Sequence, residues 1–349
     1  MIYVNARFIT QPLTGVQRYA FEVCIQMKKM NPGIIFLSPK NVMQPEWKQV
    51  LGVKTIGLLT GHLWEQIELP LYLRRMKRGL LFSPCNIGPL LSNNQCLTVH
   101  DVAFKIFETS HSYWFRKWYN FLIPKLCQSA RHLFTVSETV KNELISYYHL
   151  NPKNISVTYN GIASVLKSKL DVCAPKEKMI LTVGSLTNQK NTQFLIEGFL
   201  ASELVKDYQL IIIGRKNGIF QSISIEPNPK IKWIEDATDT QLIEYYKKAE
   251  MACFLSLYEG FGIPVLESLQ FHCKVICSDI PAFRELFSGA VSFCSSTDRK
   301  ALTEMLNRIA SIPSPTENSI AQLNSKYDYH VSADTILHQL KLHENCTHT

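Results

Sequence analysis

Short apolar runs alternate with helically spaced apolar positions along the whole chain. In the first half, the runs Ile2–Val4, Cys96–Val99 and His132–Val136 are typical of buried strands, and apolar side chains between Val16 and Met27 recur at helical spacing. Runs that are apolar throughout favour parallel strands covered on both faces. This half therefore predicts a layered α/β domain built on a parallel sheet.

The second half repeats this order more clearly. Asn191 stands before one of its predicted helices, where it is expected to act as the cap. Because strands and helices alternate, a second parallel sheet covered by helices is expected. The pattern predicts strands over 179–183, 210–213, 252–255 and 275–277, and helices beginning near 192, 240, 264 and 281.

A change in composition separates the two halves. The turn dipeptide Asn160-Gly161 precedes a polar, proline-bearing stretch at 174–178, which is typical of a linker. In such sheets ligands bind outside the carboxyl ends of the strands. We therefore expect an α/β protein with two doubly wound, Rossmann-like domains facing each other across a cleft. The predicted divisions are a first domain at 1–165, a linker at 166–178, a second domain at 179–326 and a C-terminal segment at 327–349.

Composition narrows the class of protein. The chain has 349 residues, 46% of them apolar, and no apolar run approaches the ~18 residues of a membrane span. The N-terminus lacks the basic, apolar and small-residue regions of a signal peptide. The 10 cysteines include no Cys-x-x-Cys pair. We expect a reduced, cytoplasmic protein without a disulfide framework.

Positive charge is concentrated in the first half. Residues 1–160 carry 18 Lys and Arg against 8 Asp and Glu, whereas residues 161–349 carry 19 against 21. Basic residues mixed with aromatic ones are typical of a membrane–water interface, and a solvated basic face over an ordinary core is the alternative. Nucleic acid is a weaker third reading, because no nucleic-acid-binding motif is present. The basic residues concerned are Arg74, Arg75, Lys77, Arg78, Arg116 and Lys117.

The segment from Tyr258 to Glu267 carries the clearest chemical signal. It follows a strand and opens a helix, and Gly260 and Gly262 let the backbone approach a ligand closely. Amides at the helix start bind anions, and the carboxylates of Glu259 and Glu267 accept hydrogen bonds from hydroxyls. This combination suits a ligand that carries both hydroxyls and phosphate. The alternative is that Glu267 merely favours the helix dipole and Glu259 lies in a solvated turn.

Residues at other strand ends extend this candidate site. Lys190 precedes a helix, where a cation would meet a diphosphate, and Arg215 is a weaker candidate for the same role. His100 and Asp101 follow a strand of the first half, and a histidine there can titrate near neutrality and reach the cleft. The pattern predicts departure of a nucleoside diphosphate stabilised by Lys190 and helix amides rather than by metal. No Asp-x-Asp, P-loop or Gly-x-Gly-x-x-Gly motif competes with this interpretation.

These motifs resemble those of the retaining glycosyltransferases of family four, which have the GT-B fold. The family's glutamate-x₇-glutamate motif is present as Glu259…Glu267 with the filling Gly-Phe-Gly-Ile-Pro-Val-Leu. The segments Thr14–Tyr19, Val99–Asp101 and Tyr159–Ile162 are similar to further motifs of the family. The resemblance extends over nearly the whole chain.

The resemblance implies a role for each matching position. Glu259 would contact hydroxyls of the donor sugar and Glu267 the ribose, while Lys190 would neutralise the diphosphate. His100 would lie beside the reacting sugar, and Asp101 falls on the acceptor side. The family retains anomeric configuration and is expected to need no metal or cofactor beyond the nucleotide diphosphate sugar, which is a co-substrate. The amides expected to line the sugar and diphosphate are those of Gly15, Gly260, Phe261 and Gly262.

Some positions depart from the family pattern. Gln17 stands where a second glycine is frequent, and Ser185 and Gln189 stand where arginines are common. Diphosphate neutralisation is therefore expected to rest on Lys190 alone or to draw on Arg215.

Together these observations predict a retaining hexosyltransferase of surface-polysaccharide biosynthesis, of the O-antigen or capsule kind. Its expected partners are a nucleotide-sugar donor, a glycan or lipid-linked glycan acceptor and an anionic membrane surface, without nucleic acid. It is expected in the cytoplasm, with the inner membrane face as a peripheral location. The alternatives are a catalytically silent nucleotide-sugar-binding protein and, ranked lower, a GT-B nucleotide-sugar epimerase or phosphorylase.

Overall fold

The structure is a computed structural model that describes residues 1–76, 79–107, 113–170, 174–215 and 228–345, with the side chains of 113–116 and 345 outside the description. The chain divides into two compact units. The first unit comprises Met1–Lys105, Tyr113–Ala163 and Tyr327–Thr349, and the second comprises Ile106–Ser112 and Ser164–Lys326.

The first unit is built on a parallel sheet with the strand order β3-β2-β1-β4-β5-β6-β7. The order reverses between β1 and β4, where Val4 lies opposite Phe82. Most of these strands are buried because helices cover the sheet, as their apolar sequences predict, whereas the edge strand β3 is partly exposed. Their bounds are Ile2–Asn5 (β1), Ile35–Ser38 (β2), Lys54–Thr55 (β3), Leu80–Ser83 (β4), Gln95–Val99 (β5), His132–Thr135 (β6) and Ile155–Val157 (β7).

The helices of the first unit include one irregular segment. A π-helical turn over Trp64–Glu68 joins two short α-helices and buries the Trp64 ring against the sheet. The α-helices are Gly15–Met30 (α1), Pro45–Leu51 (α2), Gly61–Leu63 (α3), Leu69–Arg75 (α4), Ala103–Ile106 (α5), Tyr113–Ser129 (α6), Glu138–Tyr148 (α7) and, from the end of the chain, Tyr329–Asn345 (α15).

The C-terminal helix α15 completes the first unit. Its Ser332 hydroxyl donates a hydrogen bond of 2.6 Å to the backbone oxygen of Tyr159. The Tyr329 ring packs edge-on against Tyr19 of α1, and a Cβ at Gly161 would lie 2.8 Å from the Tyr329 nitrogen. Gly161 is therefore required by the close passage of the last segment.

The second unit repeats the architecture with the strand order β10-β9-β8-β11-β12-β13. All pairs are parallel, and the order reverses between β8 and β11, where Leu181 lies opposite Ala252. Its core includes apolar side chains from several strands that pack against the helices over Thr192–Ala201 and Arg299–Asn307. The strands are Glu177–Val183 (β8), Gln209–Ile213 (β9), Ile231–Ile234 (β10), Ala249–Phe254 (β11), Lys274–Ser278 (β12) and Ser292–Cys294 (β13).

The helices of the second unit follow the strands as the sequence pattern predicts. The predicted cap at Asn191 is wrong in its chemistry: Asn191 occupies the cap position, but its side chain donates to the backbone oxygen of Ser296, at 2.9 Å, instead of accepting from its own helix. The α-helices are Ser164–Lys167 (α8), Thr192–Ala201 (α9), Asp239–Lys248 (α10), Ile263–Gln270 (α11), Pro281–Phe287 (α12), Arg299–Asn307 (α13) and Glu317–Lys326 (α14).

Candidate active site

A pocket opens at the carboxyl edge of the second sheet, where the strand order reverses. Ligands of open α/β sheets bind at this topological position. Its empty space, including the part open to solvent, is about 370 Å³. The lining residues are Thr182, Val183, Gly184, Lys190, Thr192, Phe254, Ser256, Glu259, Gly262, Pro264, Val265 and Phe283.

Gly262 shapes one wall of this pocket. Its φ of 102° lies in the region that favours glycine, and a Cβ there would lie 2.5 Å from the Phe283 ring. Helix α11 begins at the next residue, with Pro264 in its first turn. The start of α11 therefore faces the pocket without an intervening side chain, as an anion site at a helix N-terminus requires.

The loop after β8 is fixed by a close approach between two backbone segments. A Cβ at Gly214 would lie 1.9 Å from the backbone oxygen of Gly184, so only glycine fits there. The Gly184 amide donates to the oxygen of Ile213, and the Leu186 amide donates to the oxygen of Arg215. The loop after β8 is thereby held against the end of β9, which places Lys190 at the pocket.

Lys190 and Glu259 meet within the pocket. The Lys190 ammonium donates to Oε1 of Glu259 at 2.5 Å, and the Ser256 hydroxyl donates to the same oxygen at 2.7 Å. The side chains of Lys190 and Glu259 remain 27% and 13% exposed. The hydroxyl of Ser278 in turn donates to the backbone oxygen of Ser256 at 2.5 Å. One carboxylate oxygen is thus held by two donors, and the structure describes no partner for the other.

Gln189 joins the two loops that carry this pair. Its side-chain amide donates to the oxygen of Tyr258 at 2.9 Å, and its own backbone oxygen accepts from the Leu257 amide at 2.7 Å. The residue that replaces a common arginine of the family therefore has a structural role, fixing Glu259 relative to Lys190.

Glu267, the second glutamate of the motif, lies in a different environment from Glu259. It is buried within α11, and its Oε2 accepts a hydrogen bond of 2.8 Å from the hydroxyl of the buried Tyr246. The Tyr246 ring stacks on Phe271. Glu267 is not among the residues that line the pocket, and its contact with a ribose stays a prediction.

The remaining residues predicted for the donor site differ in exposure. Gly260 and Phe261 are buried beside the pocket wall, and the Phe261 ring packs edge-on against Phe287. Arg215 is exposed and forms an ion pair with Asp236. The structure therefore brings Gly260 and Phe261, but not the Arg215 guanidinium, into the neighbourhood of Lys190 and Glu259.

His100 corrects an expectation drawn from the sequence. It does not titrate near neutrality, because burial lowers its pKa to about 4. Its Nε2 lies 2.8 Å from the carbonyl oxygen of Pro84, which can only accept, so this nitrogen carries the proton. The Tyr19 ring packs edge-on against the imidazole at 4.7 Å. His100 is thus a neutral ring fixed at the end of β5.

Helix α1 begins at Gly15, which is exposed. Gln17, which stands in place of the family's second glycine, is buried: it accepts from the Thr14 hydroxyl and donates to Gln11 at 2.9 Å. Its side chain therefore closes the loop before α1 on itself. Asp101 accepts from the backbone amide of Ala103 at 3.0 Å.

The basic residues predicted to face a membrane are exposed where their side chains are described. Arg74 and Arg75 are exposed at the end of α4, and Lys117 is exposed on α6. Lys77 and Arg78 lie outside the described residues, as does the side chain of Arg116. No helix in the described part of the chain has both the length and the apolar character that crossing a membrane requires.

In the described ranges of the chain, no group of three or more histidine, cysteine or acidic side chains is arranged to hold a metal ion. Catalysis without a metal stays a prediction.

Two parallel sheets, each with a reversal of strand order, and a pocket at the carboxyl edge of one of them are the architecture of the GT-B fold. Solved structures share this fold: the HepE protein of Anabaena, determined in complex with UDP-glucose, is 10% identical, with a TM-score of 0.72 over 97% of this chain and 98% of that one.

Comparison with protein families specifies the class further. Residues 13–164 match the model of Glycosyltransferase Family 4, and residues 171–325 match that of Glycosyl transferases group 1. The O-antigen chain mannosyltransferase RfbU of Salmonella typhimurium is 30% identical over 251 residues, which cover 69% of this chain and 67% of that protein. The chain belongs to glycosyltransferase family 4, and it is a nucleotide-sugar-dependent enzyme of surface-polysaccharide biosynthesis.

A further relative has a lipid-linked acceptor in its name. The N-acetylgalactosamine-N,N'-diacetylbacillosaminyl-diphospho-undecaprenol 4-alpha-N-acetylgalactosaminyltransferase of Campylobacter jejuni is 32% identical over 173 residues, covering 48% of this chain and 47% of that protein. The matched region is thus about half the length of either protein.

Sequence reasoning missed Ser256 and Tyr246, the side chains that hydrogen-bond the two glutamates. Ser256 could have been found, because it is a polar residue directly after a buried strand at the carboxyl edge of a parallel sheet. Tyr246 lies in α10, and nothing local in its sequence indicates that its hydroxyl meets Glu267.

Proposed function

We propose that this enzyme transfers a mannosyl residue, with retention of anomeric configuration, from a nucleotide diphosphate mannose to a lipid-linked acceptor of the O-antigen type. The observation that carries the donor half is the Lys190–Glu259 pair beside the start of α11. The sugar is suggested by RfbU, and the lipid-linked acceptor by the Campylobacter transferase.

In the proposed donor site, Lys190 and Glu259 give up their contact with each other and bind the donor instead. Lys190 and Glu259 are paired with each other, so a diphosphate competes for the ammonium while sugar hydroxyls take up the carboxylate. Ser256 keeps one oxygen of Glu259 in place during this exchange. Charge on the departing diphosphate is then stabilised by Lys190 and by amides at the start of α11, which are already oriented.

The other assignments complete this proposal. Glu267 binds the ribose, and the amides of Gly260 and Phe261 line the donor. Arg215 adds positive charge only if its pairing with Asp236 opens. His100 acts in the first unit as a neutral hydrogen-bonding group, since its pKa of about 4 makes it a poor proton acceptor near neutrality.

Retention follows if the acceptor attacks from the face that the diphosphate leaves. No side chain is assigned as a nucleophile, and the leaving diphosphate takes the acceptor proton. The protein then supplies binding, orientation and electrostatic stabilisation. No metal takes part in this proposal.

A second part of the proposal places the first unit on an anionic membrane surface. Leu63, Ile67 and Leu71 follow one another at intervals of four residues on the segment from α3 to α4, and each is between 47% and 61% exposed. Arg74 and Arg75 end the same segment. An exposed apolar stripe that ends in basic side chains suits the boundary between acyl chains and anionic headgroups.

A thermal-shift panel with UDP-, GDP- and ADP-sugars and the bare diphosphates tests the donor half. A ligand that binds only the folded state raises the melting temperature. A selective shift with one base, followed by transfer with that sugar to a lipid-linked acceptor, is the expected result. No shift with any nucleotide, while a control transferase responds, contradicts it. Binding without acceptor-dependent turnover identifies the catalytically silent alternative.

Vesicle flotation tests the membrane half. The protein should float with phosphatidylglycerol vesicles at low salt and remain free with phosphatidylcholine. The Ile67→Gln, Leu71→Gln double variant should lose flotation, whereas Val50→Gln, at an exposed apolar position of α2, should keep it. Equal flotation of both variants would refute docking through this stripe.

A further inference from the structure

The carboxyl edge of the first sheet carries a charged group that the proposed donor chemistry does not use. Strand β1 ends at Asn5 and strand β4 at Ser83, on the two sides of the point where the strand order reverses. This is the position at which an open α/β sheet binds ligands, and it corresponds to the place of the donor pocket in the second sheet.

An arginine and a glutamate are buried together at this edge. Nε of Arg7 donates to Oε1 of Glu65 at 3.1 Å, and the Asn5 amide donates to the same oxygen at 2.7 Å. The two charged side chains are 9% and 1% exposed. Burial on its own raises the pKa of Glu65, but Arg7, His62 and Asn5 outweigh it and bring the pKa below its ordinary value, so the pair is charged.

The backbone is irregular where it presents this glutamate. Glu65 is the second residue of the π-helical turn, and the Trp64 indole beside it donates to the oxygen of Ile56 at 2.9 Å. The Glu65 Oε2 lies 3.5 Å from His62 and makes no hydrogen bond. Insertions of this kind in helices occur frequently at functional sites.

The hydrogen-bonding capacity of Arg7 is largely unused. Its two terminal amino groups have no hydrogen-bond partner among the residues that the structure describes, and the side chain keeps 9% of its surface exposed. A buried ion pair is a poor source of stability, since desolvation offsets its attraction. An arginine held by its Nε with its terminal groups unpartnered offers a planar fork, which matches the oxygens of a phosphate or carboxylate.

We propose that Arg7 and Glu65 form an oxyanion-binding site of the first unit, in which Arg7 binds a phosphate or carboxylate and Glu65 is the positioning residue that holds its guanidinium. The assignment of this oxyanion to the acceptor rests on the proposed function, whereas its binding does not. A lipid diphosphate and an acidic sugar both present the required oxygens.

Calorimetric titration of the full chain with geranyl diphosphate and with glucuronate tests the site. Each titration is repeated in Lys190→Ala, so that binding in the donor pocket is recognised by its weakening in that variant and binding at Arg7 by its persistence. Arg7→Lys keeps the charge but removes the fork, and we expect it to bind the probe at least about tenfold more weakly than the natural chain. Lys29→Gln, which removes an exposed basic residue of α1, should bind like the natural chain.

The double variant Arg7→Gln, Glu65→Gln removes both charges, so neither is left buried alone, and it should bind neither probe. Binding of geranyl diphosphate alone identifies a lipid phosphate as the source, and binding of glucuronate alone identifies an acidic sugar. Equal affinity in the natural chain and Arg7→Lys, or no binding of either probe, overturns the proposal. Because the titration needs no turnover, it can succeed where the transferase reaction fails.

Discussion

The two sheets place an ion pair at the same topological position but in different surroundings. At the second sheet, Lys190 and Glu259 are 27% and 13% exposed and line an open pocket. At the first sheet, Arg7 and Glu65 are 9% and 1% exposed, and the carboxylate is enclosed by protein donors. An accessible pair can exchange partners with a ligand, whereas an enclosed pair can only present what remains open on its arginine. The Lys190–Glu259 pair can therefore separate when a ligand binds, whereas the Arg7–Glu65 pair is expected to stay together.

The largest expected difference concerns stability. Glu65→Gln leaves the Arg7 charge buried without its partner, so we expect the free energy of unfolding to fall by about 3–5 kcal/mol. Urea denaturation followed by circular dichroism measures it. Glu138→Gln removes an exposed carboxylate of α7 and should change stability by about 0.5 kcal/mol or less. Equal effects of the two substitutions would show that the first-sheet pair is not enclosed.

The free energy of unfolding should depend on pH because of His100, which also lies at the carboxyl edge of the first sheet. Its folded pKa of about 4 lies below the unfolded value of 6.5, so the unfolded chain binds the proton first as the pH falls. Stability should therefore be lost between about pH 6.5 and pH 4, by about 2 kcal/mol between pH 7 and pH 5. His100→Gln should abolish this part of the slope. His330→Gln, at an exposed histidine of α15, should retain it, and a slope unchanged in both variants argues against a buried neutral His100.

Lys190→Ala tests whether the accessible pair serves binding rather than stability. We expect donor diphosphate affinity to fall by about tenfold, because a partly desolvated opposite charge is lost, while the free energy of unfolding changes by less than about 1 kcal/mol. Calorimetry and denaturation measure the two quantities. Lys206→Ala removes an exposed lysine that also pairs with a glutamate and should alter neither. Unchanged donor affinity in Lys190→Ala would contradict its role.

The smallest effect is expected from Ser256, which fixes one oxygen of Glu259. Ser256→Ala removes one of the two donors to this oxygen while Lys190 still holds it, so kcat/KM should fall by only about three- to tenfold with the fold intact. Ser325→Ala, at an exposed serine of α14, is the matched control. Full activity of Ser256→Ala would mean that Lys190 alone positions Glu259.

The donor side of the molecule could largely be predicted, because its signals are local. The strands at 179–183, 210–213 and 275–277 are confirmed within two residues, since long apolar runs leave few alternatives. The glycines and glutamates of the motif sit in one short segment that both forms the loop and opens α11. The GT-B fold and the family are confirmed on this basis.

The ion pair at the carboxyl edge of the first sheet could not be predicted, because its two residues are distant in sequence. Arg7 and Glu65 are 58 positions apart, and the π-helical turn that brings them together has no recognised signature in this chain. Burial decides the pKa of His100, and burial is a property of the assembled layers rather than of its neighbours in sequence. Short strands such as β3 were missed because half-exposed polar pairs carry no apolar run.

The return of the C-terminal helix has a consequence for biosynthesis. The second unit is complete in sequence at Lys326, but the first unit lacks the α15 surface that covers Tyr19 and Tyr159 until residues 329–345 are translated. Because domains fold as units while the chain emerges, the unit that is started first is completed after the second one. Until residues 329–345 have emerged, the first unit exposes the surface around Tyr19 and Tyr159 that α15 later covers, and such exposed surface favours aggregation.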